Sequence, residues 1–173
     1  MNELSFNSVV KPEEIATVAE LAGDIWREHY PGMISSDQVE YMLKNFQSVP
    51  AISKQIREGY LYYLLSSGRE PVGYLAIVPR GKEIFLSKLY MESSERGKGY
   101  GRMAVAFIEG KARELGASMI TLTVNRNNKD SIEAYKKFGF REAGKLETDI
   151  GEGFKMCDYK MVKEIGQSKY IGL

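Results

Sequence analysis

Apolar residues recur at a helical spacing through the first third of the chain. In KPEEIATVAELAGDIWREHY, Ile15, Val18, Ala19, Ala22 and Trp26 fall on one face, Pro12 stands near the start and acids occupy the first turn. That pattern predicts an amphipathic helix. SSDQVEYMLKNF predicts a second, with Ser35 and Gln38 spaced as a capping box, and AISKQIREG a third. The preceding LSFNSVV has the composition of a strand.

The texture changes at Tyr60. YLYYLLSS, PVGYLAIV and EIFLSKLYM are aromatic and branched runs separated by SGRE and PRGK, which are turn compositions, so an antiparallel meander is expected. A helical period then returns: Ala104, Phe107, Ile108, Ala112 and Leu115 mark a buried face that stops at Gly116. SMITLTVN predicts a strand, SIEAYKKF a short helix closed by Gly139, and FREAGKLETDI and FKMCDYKMV two final strands. A strand joined through a helix to its neighbour is the crossover of a parallel pair. The fold class is therefore α/β, in the α+β sense of a mixed sheet with helices on its faces.

Composition narrows the function. The 173 residues fit one domain, residues 1–173, and no linker, repeat or low-complexity tract divides them. With 24 basic and 23 acidic residues the net charge is +1, so no global field recruits nucleic acid or an anionic membrane. Cys157 is the only cysteine, which excludes an internal disulfide and a CxxC metal site and fits a reducing compartment. The first residues lack a signal-peptide pattern and no apolar run spans a bilayer. The expectation is a cytoplasmic protein with no metal, nucleic-acid or membrane partner.

The chemistry concentrates in ERGKGYGR. Gly97, Gly99 and Gly101 alternate with Arg96, Lys98, Tyr100 and Arg102, between a predicted strand and the start of a predicted helix. A helix N-terminus leaves about four backbone N–H groups without intrahelical partners and carries about half a positive charge. Glycines remove the side chains that would hold a ligand away. Together these residues suit a phosphate or pyrophosphate; the alternative is a flexible turn with solvated basic residues. The sequence has no Walker loop, and its GxGxG spacing is not the dinucleotide fingerprint GxGxxG.

RGKGYG matches the Q/R-x-x-G-x-G/A signature of the GCN5-related N-acetyltransferases (GNAT). After one intervening strand, NKDSIEAYKKFGF is similar to that family's second signature, N-x-x-A/S-x-x-x-Y-x-x-x-G-F. The resemblance covers about residues 60–163 and implies a mostly antiparallel central sheet with a splayed parallel strand pair, flanked by helices. It implies acetyl-CoA as the acetyl donor, its pyrophosphate on the amides from Gly97 to Arg102, with Arg96 opening the loop. It places the pantetheine arm along Leu89, Tyr90 and Met91, with Asn128 and Ser131 contacting it from the short helix. Asn128 also stands where a helix N-cap belongs.

Acyl transfer to an amine requires a neutral nucleophile and is eased by protonation of the leaving thiolate. The resemblance makes Tyr135 the acid for that thiolate; the alternative is a tyrosine that only packs, one turn after Ile132. No covalent enzyme nucleophile is needed. The general base is not readable. Glu83 and Ser87 lie on the strand before the loop, where relatives often keep a base acting through water. Glu28 and His29 lie near the acceptor side if the first helices cover it, and no base is assigned. IWREHYPGMISSDQVEYML and KKFGFREAG look similar to the polyamine-acetylating branch, with Glu28, Asp37, Glu40 and Asp149 available to a polycation. A protein N-terminus, an amino-acid amine and an aminoglycoside remain open as acceptors. Relatives often dimerise through their late strands, so a homodimer is expected. The competing class is a non-catalytic acyl-CoA-binding or regulatory domain of the same fold.

Overall fold

The computed structural model describes residues 3–166. Its elements run β1 (Leu4–Ser8), α1 (Pro12–His29), α2 (Ser36–Phe46), α3 (Val49–Arg57), β2 (Leu61–Ser67), β3 (Glu70–Arg80) and β4 (Glu83–Met91). A single turn of 3-10 helix, Ser93–Glu95, leads to α4 (Tyr100–Glu114), β5 (Met119–Asn125), α5 (Lys129–Lys137), β6 (Arg141–Gly151) and β7 (Phe154–Glu164). The strands hydrogen-bond in the order β1-β2-β3-β4-β5-β7-β6. β1–β2, β2–β3, β5–β7 and β6–β7 are antiparallel, while β4 and β5, joined through α4, are parallel. The mixed sheet expected from the sequence is present.

The chain forms two compact units: one through Ile77 together with Ser87–Tyr100, the other Val78–Leu86 with everything from Gly101 on. In the first, α1 turns Ile15, Val18, Leu21, Ala22, Ile25 and Trp26 inward. The expected face is there, widened by Leu21 and Ile25, and Ala19 lies at its half-buried border. Ser35 caps α2 by accepting the Gln38 amide at 3.1 Å, and Ser48 caps α3 through Ala51. On β3, Val72–Ile77 are buried without a break, so both faces of that strand are covered.

In the second unit Ile84, Ile108, Ile120, Leu122 and Met161 are fully or nearly fully buried. Each such side chain contributes about 1.5–3 kcal/mol by leaving water. The inward face of α4 is Ala104, Val105, Ile108 and Ala112. Of the other two residues expected there, one is off the face and one lies at its border. Leu115 lies past the last helical residue and is exposed, and Phe107 is half-buried, with the Lys111 ammonium 5.7 Å from its ring centre. Gly116, at φ +74°, ends the helix as expected.

Candidate active site

The glycine stretch is a built turn, not a slack one. β4 ends at Met91, the Glu92 amide donates to the Val72 carbonyl at 2.9 Å, and the 3-10 turn closes with Arg96 N–H donating to Ser93 O. Gly97 and Gly99 then take φ of +77° and +81°, a backbone region that side chains with a Cβ rarely adopt. Open space surrounds both positions where a Cβ would stand. Positive φ at alternate residues turns successive amides to make an anion-binding concavity, and the α4 N-terminus follows at once. The electrostatics agree. α1, α2 and α5 each place an acid in the first turn, as the helix dipole favours, whereas α4 places none and carries Arg102 there.

Gly101 has a different role. It is helical, and a Cβ there would come within 3.1 Å of the Phe138 ring. The Arg102 guanidinium lies 5.3 Å from the centre of the same ring. The third glycine thus lets the start of α4 pack on the residue that caps α5. Of the basic residues, Lys98 pairs with Glu95 at 2.9 Å, which raises its pKa, and Arg96 lies 3.3 Å from His29 Nδ1. Tyr100 is buried with its hydroxyl 3.3 Å from Ser67 Oγ, so what it can offer a ligand is its amide.

β4 pairs with β5 from Glu83–Met119 to Leu86–Leu122, and β4 itself runs on to Met91. Leu89, Tyr90 and Met91, all half-buried, form the end of the strand. On the β3 side the Tyr90 carbonyl approaches Gly73 so closely that a Cβ there would sit 2.4 Å from it. Below the last β5 pairs, Glu83 accepts a hydrogen bond from the Thr121 hydroxyl.

α5 carries the second set of expected residues. Asn128 is buried, and its side chain accepts from the Ser131 amide at 3.4 Å, so the N-cap assignment holds. Tyr135 is half-buried, with its ring centre 5.4 Å from Phe140 and 6.4 Å from Phe138. The helix ends at Gly139, φ +97°, where Lys163 donates to the Phe138 carbonyl at 2.6 Å and pairs with Glu109 of α4 at 2.5 Å. Leu89–Met91 and Arg96–Tyr100 therefore form one continuous run in the first unit. Gly101, Arg102, Asn128, Ser131 and Tyr135 belong to the second, where Phe138 joins the α4 and α5 groups.

Three features escaped the sequence. Lys88 of β4 is buried. An acidic group gathers at the end of the same strand: burial first, then Glu95, Glu70, Asp24 and Glu28, raise the Glu92 pKa. Glu28 itself accepts from Ser93 Oγ at 2.5 Å. Trp26 Nε1 donates to the Tyr74 hydroxyl at 3.2 Å, which donates to Gln47 at 3.0 Å. The lysine had a signal: Ile84, Leu86, Lys88 and Tyr90 alternate onto one face of EIFLSKLYM. Among the described residues, no group of His, Cys, Asp and Glu is arranged to hold a metal ion.

A family model described as "Acetyltransferase (GNAT) family" matches residues 20–140. Peptidyl-lysine N-acetyltransferase YjaB of Salmonella typhimurium is 29% identical over 108 residues, 62% of this chain and 68% of that protein. Its namesake in Escherichia coli is 29% identical over 61% of this chain and 66% of its own length. Among solved structures, the PaiA N-acetyltransferase of Thermoplasma acidophilum in complex with coenzyme A superposes with a TM-score of 0.79 at 20% identity. That likeness covers 94% of this chain and 99% of the other.

Proposed function

The chain belongs to the acetyltransferase (GNAT) family, and from that premise we propose that it transfers the acetyl group of acetyl-CoA directly to a primary alkylamine. The observation that carries the reading is the run from Ser87 to Arg102. It combines an extended strand end, a turn with open left-handed glycines, and a helix start that holds a cation where α1, α2 and α5 hold acids. An extended amide-bearing arm ending in a pyrophosphate matches that order of groups. Leu89–Met91 supply backbone partners for the arm. Gly97–Arg102 supply amides for the phosphates, with Arg96 and Arg102 at the rim.

The family resemblance gives Asn128 and Ser131 as contacts of the arm and makes Tyr135 the donor of a phenolic proton to the departing thiolate. The amine nitrogen attacks the thioester carbonyl as the free base. The C–N bond forms, the C–S bond breaks, and the amine sheds a proton to water or a nearby carboxylate. A main-chain N–H of β4 beyond Leu86 stabilises the carbonyl oxygen as charge develops on it. All of this runs in one ternary complex, within residues 1–173 as a single acetyltransferase domain.

Two observations favour an alkylammonium acceptor. Glu92, Glu95, Glu70, Asp24 and Glu28 concentrate negative charge where β4 meets the loop. The two YjaB relatives carry a peptidyl-lysine name. A lysine side chain and a polyamine share this chemistry. We also infer a homodimer, supported by β6, an edge strand exposed from Arg141 to Asp149. The test of the acceptor is product mass spectrometry with acetyl-CoA and a panel of lysine peptide, polyamine, free amino acid, N-terminal peptide and aminoglycoside. Acetylation of the first two and not the others is expected. Bound acetyl-CoA with no product from any amine would instead indicate a binding domain without catalysis.

A further inference from the structure

Past Leu86, β4 continues as extended backbone through Ser87–Met91 for about 17 Å. A strand end whose backbone is to hold a ligand needs restraint. In this protein restraint comes from the inward side chains. Tyr90 packs among Trp26, Tyr30 and Tyr74, with ring centres 5.3, 6.4 and 5.5 Å away, and its hydroxyl lies 3.3 Å from that of Tyr30. Lys88 goes further. Its ammonium is internal and donates to the Phe46 carbonyl at 2.6 Å, to Gln55 Oε1 at 2.9 Å and to the Tyr62 hydroxyl.

The acceptors are themselves linked, since Tyr62 donates to Gln55 Oε1 at 2.5 Å and Gln55 Nε2 to the Phe46 carbonyl at 3.2 Å. Phe46 is the last residue of α2, so its carbonyl is the negative end of a helix dipole. Three acceptors match the three donors of an ammonium; a neutral amine has two.

We propose that Lys88 is a positioning residue: its ammonium anchors the strand segment Ser87–Met91, assigned above to acyl-CoA, to α2, α3 and β2, and so holds that backbone in place to bind cofactor. This rests on the function proposed above and adds a residue that acts through β4 without touching cofactor. It also makes the anchor sensitive to protons. Burial pulls the Lys88 pKa down to about 7, close to physiological pH. The groups facing the nitrogen are Tyr62 from β2, the Phe46 carbonyl from α2 and the Gln55 amide from α3, while Tyr74 of β3 is engaged by Trp26 and Gln47. Among the described contacts no carboxylate reaches it, so the charge is held by neutral acceptors alone as pH rises. Loss of the proton removes one donor and slackens the anchor.

The test is calorimetric titration of the purified chain with acetyl-CoA from about pH 6 to about pH 9, across the Lys88 transition. Wild type, Lys88→Met and Tyr62→Phe are compared. Lys88→Met should bind roughly tenfold more weakly at the acidic end, equivalent to about 1.4 kcal/mol. That gap should narrow as wild-type Lys88 is neutralised, and the ligand's own ionisation cancels in the ratio. Tyr62→Phe keeps the ring, removes one acceptor and should weaken binding by a smaller factor. It carries the test if the methionine variant does not fold. Wild-type affinity in both variants, or a gap that stays constant with pH, overturns the proposal. Wild type that binds no acetyl-CoA at all overturns the functional reading and this one with it, and is a distinct result.

Discussion

Replacing Lys88 by methionine also changes how folding depends on pH. In the unfolded chain the lysine titrates near its ordinary value of 10.5, and in the folded protein near about 7. Between those values the unfolded state binds one more proton than the folded state, so stability rises with pH by about 1.4 kcal/mol per unit. The sign follows from the depressed value of a base: burying the ammonium costs most at and below neutral pH, and the cost fades as pH climbs toward 10.5. Across the whole window the change amounts to about 5 kcal/mol, a large part of a typical domain's stability. Methionine keeps an unbranched stem, one atom shorter, and removes the titration. It also leaves the Tyr62 hydroxyl oxygen without the Lys88 donor, a pH-independent loss of about 1–3 kcal/mol, while Gln55 Oε1 and the Phe46 carbonyl keep their donors from Tyr62 and Gln55. The assay is urea unfolding of both proteins at pH values from 6.5 to 9.5. The wild-type free energy of unfolding should climb relative to the variant throughout, whatever their absolute difference. Parallel profiles would instead place the lysine charge in a solvated setting.

Tyr135→Phe should lower turnover by about 10²–10⁴-fold, the usual worth of a positioned acid, while acetyl-CoA affinity measured by calorimetry changes little. Gly99→Glu puts a negative side chain into open space at a left-handed residue, so acetyl-CoA binding should vanish from a folded variant, as circular dichroism and calorimetry together would show. Gly101→Val should act on folding instead, because its methyls meet the Phe138 ring; a loss of about 1–3 kcal/mol in urea unfolding is expected.

Much of the fold was legible because local periods agreed with tertiary burial. The face of α1, the Ser35 cap and the Gly116 stop are each set by a few adjacent residues. α4 shows where that logic fails. Leu115 continues the apolar period on paper, but Gly116 ends the helix and leaves the leucine beyond it in solvent. Phe107 holds the right phase yet lies at the edge of the buried face, where Lys111 reaches its ring. At the site, the motif located the loop and α5 but could not assign work within them. Three glycines look alike in RGKGYG. Only the backbone angles separate Gly97 and Gly99, which need left-handed geometry, from Gly101, which needs room for Phe138. The acidic group at Glu92 was illegible because its members come from α1, β3 and the loop, scattered between residues 24 and 95. Lys88 was visible as a lysine in an inward position, but its three acceptors come from α2, α3 and β2.

The most direct test of the central assignment is release of coenzyme A thiol when the purified chain is mixed with acetyl-CoA and an excess of a primary alkylamine such as a lysine peptide or a polyamine. Thiol release should depend on the amine, be saturable, and rise with pH as the amine becomes neutral, while Tyr135→Phe is slower by the factor given above. Thiol release no faster with amine than without it, from protein that binds acetyl-CoA, would contradict the assignment.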